Sequence, residues 1–171
     1  MTNPEDNGIK LELLTMEHAS RVEQFERANR EFFASRISDR GDDYFAHFTE
    51  RLAPLVAENH AGASLFFVLV ATSGQVVGRV NIMDINQPDR TELGFRLAAD
   101  MQGKGVATRG VKAALEWARE RGVRSIMARA AVDNLGSQRV LERCGFTATG
   151  AAETPAGSDR TFRGYRIVLK S

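Results

Sequence analysis

Residues Asp100–Gly110 read DMQGKGVATRG and directly follow the apolar run ELGFRL, Glu92–Leu97. Three glycines and two cationic side chains in so short a span describe a backbone built to approach something negatively charged. The N–H groups at a helix start have no intrahelical partner, and the helix dipole adds positive potential there. A glycine-rich turn between a strand and a helix is therefore a candidate phosphate site. Spacing tests two familiar motifs. The dinucleotide fingerprint G-x-G-x-x-G finds Gly103 and Gly105 but meets Thr108 in its third place. The P-loop pattern G-x-x-x-x-G-K-[ST] finds Gly105 and Gly110, then Val111 where lysine must stand. Both fail.

Working outward from the loop, Val106–Arg121 is an amphipathic helix with Ala107, Val111, Ala114, Leu115 and Ala118 on one face, stopped by Gly122. Before the loop, SLFFVLVAT and QVVGRVNIMD join at Ser73-Gly74 as a hairpin, and the turn NQPDR leads into the strand Thr91–Ala98. Further upstream, IKLELL alternates like a half-buried strand, and Thr15 can cap a helix carrying Val22, Phe25, Asn29, Phe32 and Phe33. The polar loop Arg36–Asp43 separates it from a second helix with Tyr44, Phe48, Leu52, Leu55 and Val56 on one face. Downstream, VRSIMARAAV reads as a buried strand and NLGSQRVLERCG as a short helix. FTATGAAE and TFRGYRIVLK read as strands around the turn TPAGSD. The order is β-α-α-β-β-β-α-β-α-β-β. With no internal repeat or linker, residues 1–171 read as one α/β (α+β) domain.

Composition excludes several classes. The 171 residues carry 23 Lys+Arg against 22 Asp+Glu, so nothing points to nucleic acid. One cysteine, Cys144, rules out an internal disulfide, and His18, His47 and His60 show no metal-ligand spacing, so no metal is expected. The start, MTNPEDNG, is polar and acidic, unlike a secretory signal, and LFFVLVA is too short to cross a bilayer. The expected setting is cytoplasmic, away from membranes.

The run Gln102-Gly103-Lys104-Gly105-Val106-Ala107 fits the pattern [RQ]-x-x-G-x-[GA]. Here the chain resembles the GNAT superfamily of acetyl-coenzyme A-dependent N-acetyltransferases. The resemblance implies that this loop cradles the pyrophosphate of acetyl-CoA. It also implies that the preceding strand holds the pantetheine arm through the backbone of Phe95 and Leu97, the arm lying like an added strand. A second motif, VDNLGSQRVLERCGF at Val132–Phe146, places Asn134, Ser137 and Gly145-Phe146 where the family has an asparagine, a short helix and a closing Gly-Phe. The fold so implied is a GNAT-type mixed, mostly antiparallel sheet of about seven strands flanked by about four helices. SQRVLERCGF, ELGFRL and NREFF look most like the branch that acetylates ribosomal-protein N-termini.

Amide formation from a thioester needs a neutral amine, a polarised carbonyl and a proton for the departing thiolate. The resemblance implies direct transfer in a ternary complex, and Cys144, beside Val140 and Leu141, reads as a packing residue. Many family members carry tyrosine four residues before the Gly-Phe pair, where this chain has Leu141. Ser137, one turn earlier on the same face, is the nearby hydroxyl and the expected partner of the cofactor sulfur; the alternative is that it only solvates the helix start. Asn134 is an N-cap that the resemblance also sets against the pantetheine arm. Glu92 is the expected base, acting through water; the alternative is a surface pair with Arg90 or Arg96. Asp84 and His47 are weaker candidates.

The acceptor site is expected from the first two helices and their loop, with Phe32, Phe33, Arg36, Asp39, Asp42 and Asp43 as candidates and Asp84 beside them. Acids would welcome a cationic amine, whereas Arg36 or Arg40 would favour a carboxylate or phosphate. The leading acceptor is a protein N-terminal alanine or serine. The alternatives are a small-molecule amine (an antibiotic, an aminoacyl compound or a polyamine) and a non-catalytic acyl-CoA-binding regulator. A homodimer is left open.

Overall fold

All six residues of Leu65–Val70 (β2) are buried, on both faces of the strand, so layers must cover it from either side. The computed structural model describes residues 8–170; the polar start read as unlike a signal falls almost wholly outside the described residues. β2 lies between β1 (Lys10–Leu13) and β3 (Val76–Met83) in a seven-stranded sheet. β4 is Glu92–Leu97, β5 Ser125–Ala131, β6 Thr147–Ala152 and β7 Phe162–Val168, in the order β1-β2-β3-β4-β5-β7-β6. Among the described residues only the β4–β5 pairing is parallel.

The two faces have separate cores. On one face Phe67, Leu69, Val80 and Leu93 pack under α5 (Val106–Glu120), through Val111, Ala114 and Ala118, and near Leu141 of α6 (Leu135–Arg143). On the other, Phe66, Val68 and Val70 meet the N-terminal helices through Val22, Phe25, Phe48 and Leu52.

Each of the two expected N-terminal helices is broken in two, so that the described residues hold six α-helices where about four were expected. The first is α1 (Ala19–Ala28) and α2 (Arg30–Ala34). Asn29 divides them because its amide donates back to the Phe25 carbonyl at 2.9 Å and its Oδ1 accepts from the Ala99 N–H at 3.0 Å. The second is α3 (Asp42–Ala46) and α4 (Phe48–Ala61), broken at His47 (φ −120°, ψ 34°). The polar loop therefore ends at Gly41, whose φ of 91° starts α3, and Asp42 and Asp43 sit in a first helical turn.

Candidate active site

The parallel pairing of β4 with β5 joins only Glu92 to Met127 and Leu93 to Ala128, after which the strands part. Ala98 N–H bonds the Val77 carbonyl on the β3 side. Alternation then turns the N–H and C=O groups of Phe95 and Leu97 the other way, into the gap. The Leu97 carbonyl there accepts from Gln102 Nε2 at 3.0 Å, which ties the glycine loop to the strand end. Such an edge fits an extended chain bearing amides, as pantetheine does.

The loop itself is shaped by two left-handed glycines, Gly103 at φ 75° and Gly105 at φ 76°. A Cβ at Gly103 would meet nothing within 4 Å, whereas one at Gly105 would stand 3.0 Å from Arg109 Nη1. Gly105 is the N-cap of α5, with no side chain capping it. The first intrahelical bond is Arg109 N–H to the Gly105 carbonyl, so the N–H groups just ahead of Arg109 face out of the helix start. Open space, positive φ and unpaired donors fit a pyrophosphate. Val106 can offer the loop only its backbone, because its side chain is core, and Lys104 is exposed.

Where β4 and β5 part lies a cavity of about 140 Å³. Its walls bring together Phe33 and Arg36 of the acceptor set, Phe95, Leu97, Gln102, Ala107 and Asn134 of the cofactor set, and Ser137. Asn134 Oδ1 accepts from the Ser137 N–H at 3.2 Å and faces Arg36 Nη1 at 3.4 Å, so helix capping and a bridge across the cleft meet on one atom. Leu141 is fully buried and does not line this cavity. Cys144 is buried too. Desolvation pushes its thiol up to about 11, against a small opposing pull from Lys112, and Sγ donates to the Thr108 carbonyl at 3.5 Å. It is a packing thiol.

Two expected residues lie elsewhere. Glu92 does not line the cleft, and its partner is neither Arg90 nor Arg96: Oε1 accepts from Arg129 Nε at 3.1 Å and lies 3.0 Å from Nη2. It does share a sheet face with Gly94 and Arg96, and a Cβ at Gly94 would meet nothing within 4 Å, so that face has room beside it. Asp84, at φ 57°, closes β3 into a turn, its N–H bound by Ser64 Oγ and its carbonyl by Thr91 Oγ1. This is a turn role, away from the cleft.

Beside the first cavity, and sharing Ile37 and Arg96 with it, opens a groove of about 550 Å³ between the Ile37–Arg40 loop and the β6–β7 turn. The turn is clasped to the loop: Ser38 Oγ donates to the Gly157 carbonyl at 2.5 Å, and Arg160 donates to the carbonyls of Arg36 and Ser35. Each acid of the cluster is held by an arginine. Arg30 holds Asp39 through two nitrogens and Asp42 at 2.8 Å, which lowers the Asp39 pKa, and Arg51 holds Asp43 at 2.6 Å.

Arg96, read from the sequence only as a possible partner of Glu92, has another. It forms a buried trio with Glu26, whose Oε2 it reaches at 2.7 Å, and Arg79, which reaches Oε1 at 2.9 Å. Its guanidinium lies 4.5 Å from the Phe33 ring centroid, and desolvation lowers its pKa while Glu26 opposes the shift. The available signal was Glu26 itself, an acid set beside Phe25 and four residues after Val22 on an apolar helix face.

Residues 9–147 match the family model described as acetyltransferase (GNAT) domain. The chain is 30% identical over 152 residues to the probable N-acetyltransferase YjcK of Bacillus subtilis, covering 82% of this chain and 81% of that one. Among solved structures it is similar to the ribosomal-protein-S5-alanine acetyltransferase from Vibrio fischeri, with a TM-score of 0.87, 22% identity and coverage of 94% and 93%. It is also similar to the microcin C7 self-immunity acetyltransferase MccE in complex with acetyl-CoA and AMP, with a TM-score of 0.78, 21% identity and coverage of 96% and 94%. The chain belongs to the GNAT acetyltransferase family. It is an N-acetyltransferase, and its acetyl donor is acetyl-CoA. Among the described residues no helix is long and apolar enough to cross a membrane, and no His/Cys/Asp/Glu group could hold a metal ion.

Proposed function

We propose that the acceptor is the N-terminal amine of a protein, of the ribosomal-protein type, attacking the thioester carbonyl directly. The observation that carries this reading is the pairing of Asp39, Asp42 and Asp43 with Arg30 or Arg51. The groove thus offers no unpaired loop acid to a polycation such as a polyamine. Its size and openness beside Arg96 suit the end of an extended chain. The Vibrio fischeri relative, named for a ribosomal-protein alanine, is in keeping with this reading.

Acetyl-CoA supplies the acetyl group as an activated thioester. In the proposal the backbone edge of Phe95 and Leu97, with Asn134, holds the donor's arm, and the loop Gln102–Ala107 holds its phosphates. Ser137 Oγ, which has no hydrogen-bond partner among the described residues, donates to the sulfur as it leaves. Phe33 and Arg36 wall the acceptor's approach. Glu92 takes the amine's proton through water standing over Gly94. Holding amine and thioester together supplies much of the acceleration by proximity.

Coenzyme A release measured against N-terminal ribosomal-protein peptides, spermidine, aminoglycosides and aminoacyl nucleotides tests the reading. Peptides turning over faster than the other amines is the expected result. Faster turnover of spermidine or an aminoglycoside overturns it.

A further inference from the structure

Arg40 is the one cation on the groove wall with no carboxylate partner among the described residues. Its guanidinium lies 5.2 Å from the Tyr44 ring centroid. Arg96 lines the same groove and also the reaction cleft. Its Nη1 is engaged by Glu26, and that single carboxylate is shared with Arg79, so the buried trio carries one positive charge in excess. The other ionisable groups of the wall, Asp39, Asp43 and Arg51, are already paired. Two guanidiniums thus share a wall on which both carboxylates already have arginine partners, while Asp42, which shares Arg30 with Asp39, lies off that wall. The positive charge on Arg40 is itself one of the influences that lower the Arg96 pKa, which places the two within electrostatic reach.

From this geometry we infer that Arg40 and Arg96 form a carboxylate subsite, so that the preferred acceptor bears a carboxylate a short reach from its reacting amine. A guanidinium fork matches a carboxylate in shape as well as charge. Arg96 stands at the junction of cleft and groove, so the amine enters the cleft while the acid stays behind beside Arg40. In a peptide the acid is an Asp or Glu side chain in the first few residues after the N-terminus; in a small acceptor it is the carboxylate of an amino acid. The inference rests on the acceptor groove of the proposed function but not on the acceptor being a protein.

The test uses two matched pairs: Ser-Glu-Glu against Ser-Gln-Gln N-terminal peptides, and serine against serinamide. Each is assayed by coenzyme A release with the wild-type protein and with Arg40→Gln and Arg40→Glu. In at least one pair, the acidic member is expected to show a kcat/KM about fivefold higher, the ratio that a partly exposed charge pair supplies. Arg40→Gln removes most of that preference, and Arg40→Glu reverses it in favour of a Ser-Lys-Lys peptide. The KM for acetyl-CoA stays unchanged in both variants, and circular dichroism checks that they remain folded. Preference confined to serine over serinamide upholds the subsite and refutes the protein acceptor. Equal kcat/KM within both pairs, no turnover of either, or a preference that survives Arg40→Glu overturns the subsite.

Discussion

The side-chain carbonyl of Asn134 accepts the Ser137 N–H at 3.2 Å, which engages the serine's backbone in the helix cap and leaves its hydroxyl on the cleft wall. A hydroxyl donating to a developing thiolate makes a charge-assisted bond. Ser137→Ala should therefore lower kcat about 10- to 100-fold with the KM for acetyl-CoA unchanged. An unaltered kcat in steady-state assays removes Ser137 from the chemistry. Asn134→Ala should destabilise the fold by about 1 kcal/mol through the lost cap, read as a lower denaturation midpoint.

Glu92→Gln keeps the shape of the side chain and most of its contact with Arg129, but it cannot take a proton. If Glu92 accepts the amine's proton through water, kcat/KM for the acceptor should fall about 100-fold, while calorimetric affinity for coenzyme A holds. An unchanged kcat/KM would mean that the residue serves only its ion pair.

At Gly105 the backbone sits at φ 76°, which a β-branched residue adopts only under strain. Gly105→Val should abolish coenzyme A binding by calorimetry and leave the far-ultraviolet circular dichroism spectrum intact. Retained affinity would count against the phosphate cradle.

Glu26 is 1% exposed and is the only carboxylate paired with Arg79 and Arg96 among the described residues. Removing it leaves two guanidiniums buried without a counter-charge. Glu26→Ala should cost about 3–5 kcal/mol, seen in chemical denaturation. A loss below about 1 kcal/mol would show that water reaches the trio.

Cys144 holds its proton more tightly when folded, with its pKa raised from 9.0 to about 11. A raised folded value contributes stability that is complete below the unfolded pKa and disappears as pH rises through the folded one. The wild-type protein should accordingly lose stability between about pH 9 and 11 relative to Cys144→Ala. Near neutral pH the thiol should resist alkylation until the protein unfolds.

The sheet and the shape of the glycine loop were legible because local pattern determines both: alternation in ELGFRL, helical spacing after Gly105 and glycines where φ must be positive. The helix breaks were not. Asn29 looks like one more position on a helical face until the Ala99 N–H arrives from a loop 70 residues away to claim its side chain. His47 likewise reads as an ordinary helical position, and Asp84 as a free acid, though its backbone forms a turn. The partner of Arg96 escaped notice for the same reason as the clasp from Arg160 to Arg36: Glu26 is 70 residues distant, and the Arg160 contact spans 124. Short-range pattern carries no trace of such contacts. The acid cluster shows the reverse error, since Asp39, Asp42 and Asp43 invite a cation until folding brings Arg30 and Arg51 to them.

The early parting of β4 from β5 also bears on how the protein keeps its shape in a cell. A sheet with an open seam through its middle lacks a row of ladder bonds; in the proposed complex the donor arm supplies them, so that part of the architecture would be lent by a metabolite. A ligand at a hundred times its dissociation constant adds about 2.7 kcal/mol to the folded form. That is a large share of the roughly 5–15 kcal/mol that holds a typical domain together. The melting temperature of this protein should therefore track the coenzyme A pool, and cells starved of that cofactor should degrade the enzyme faster.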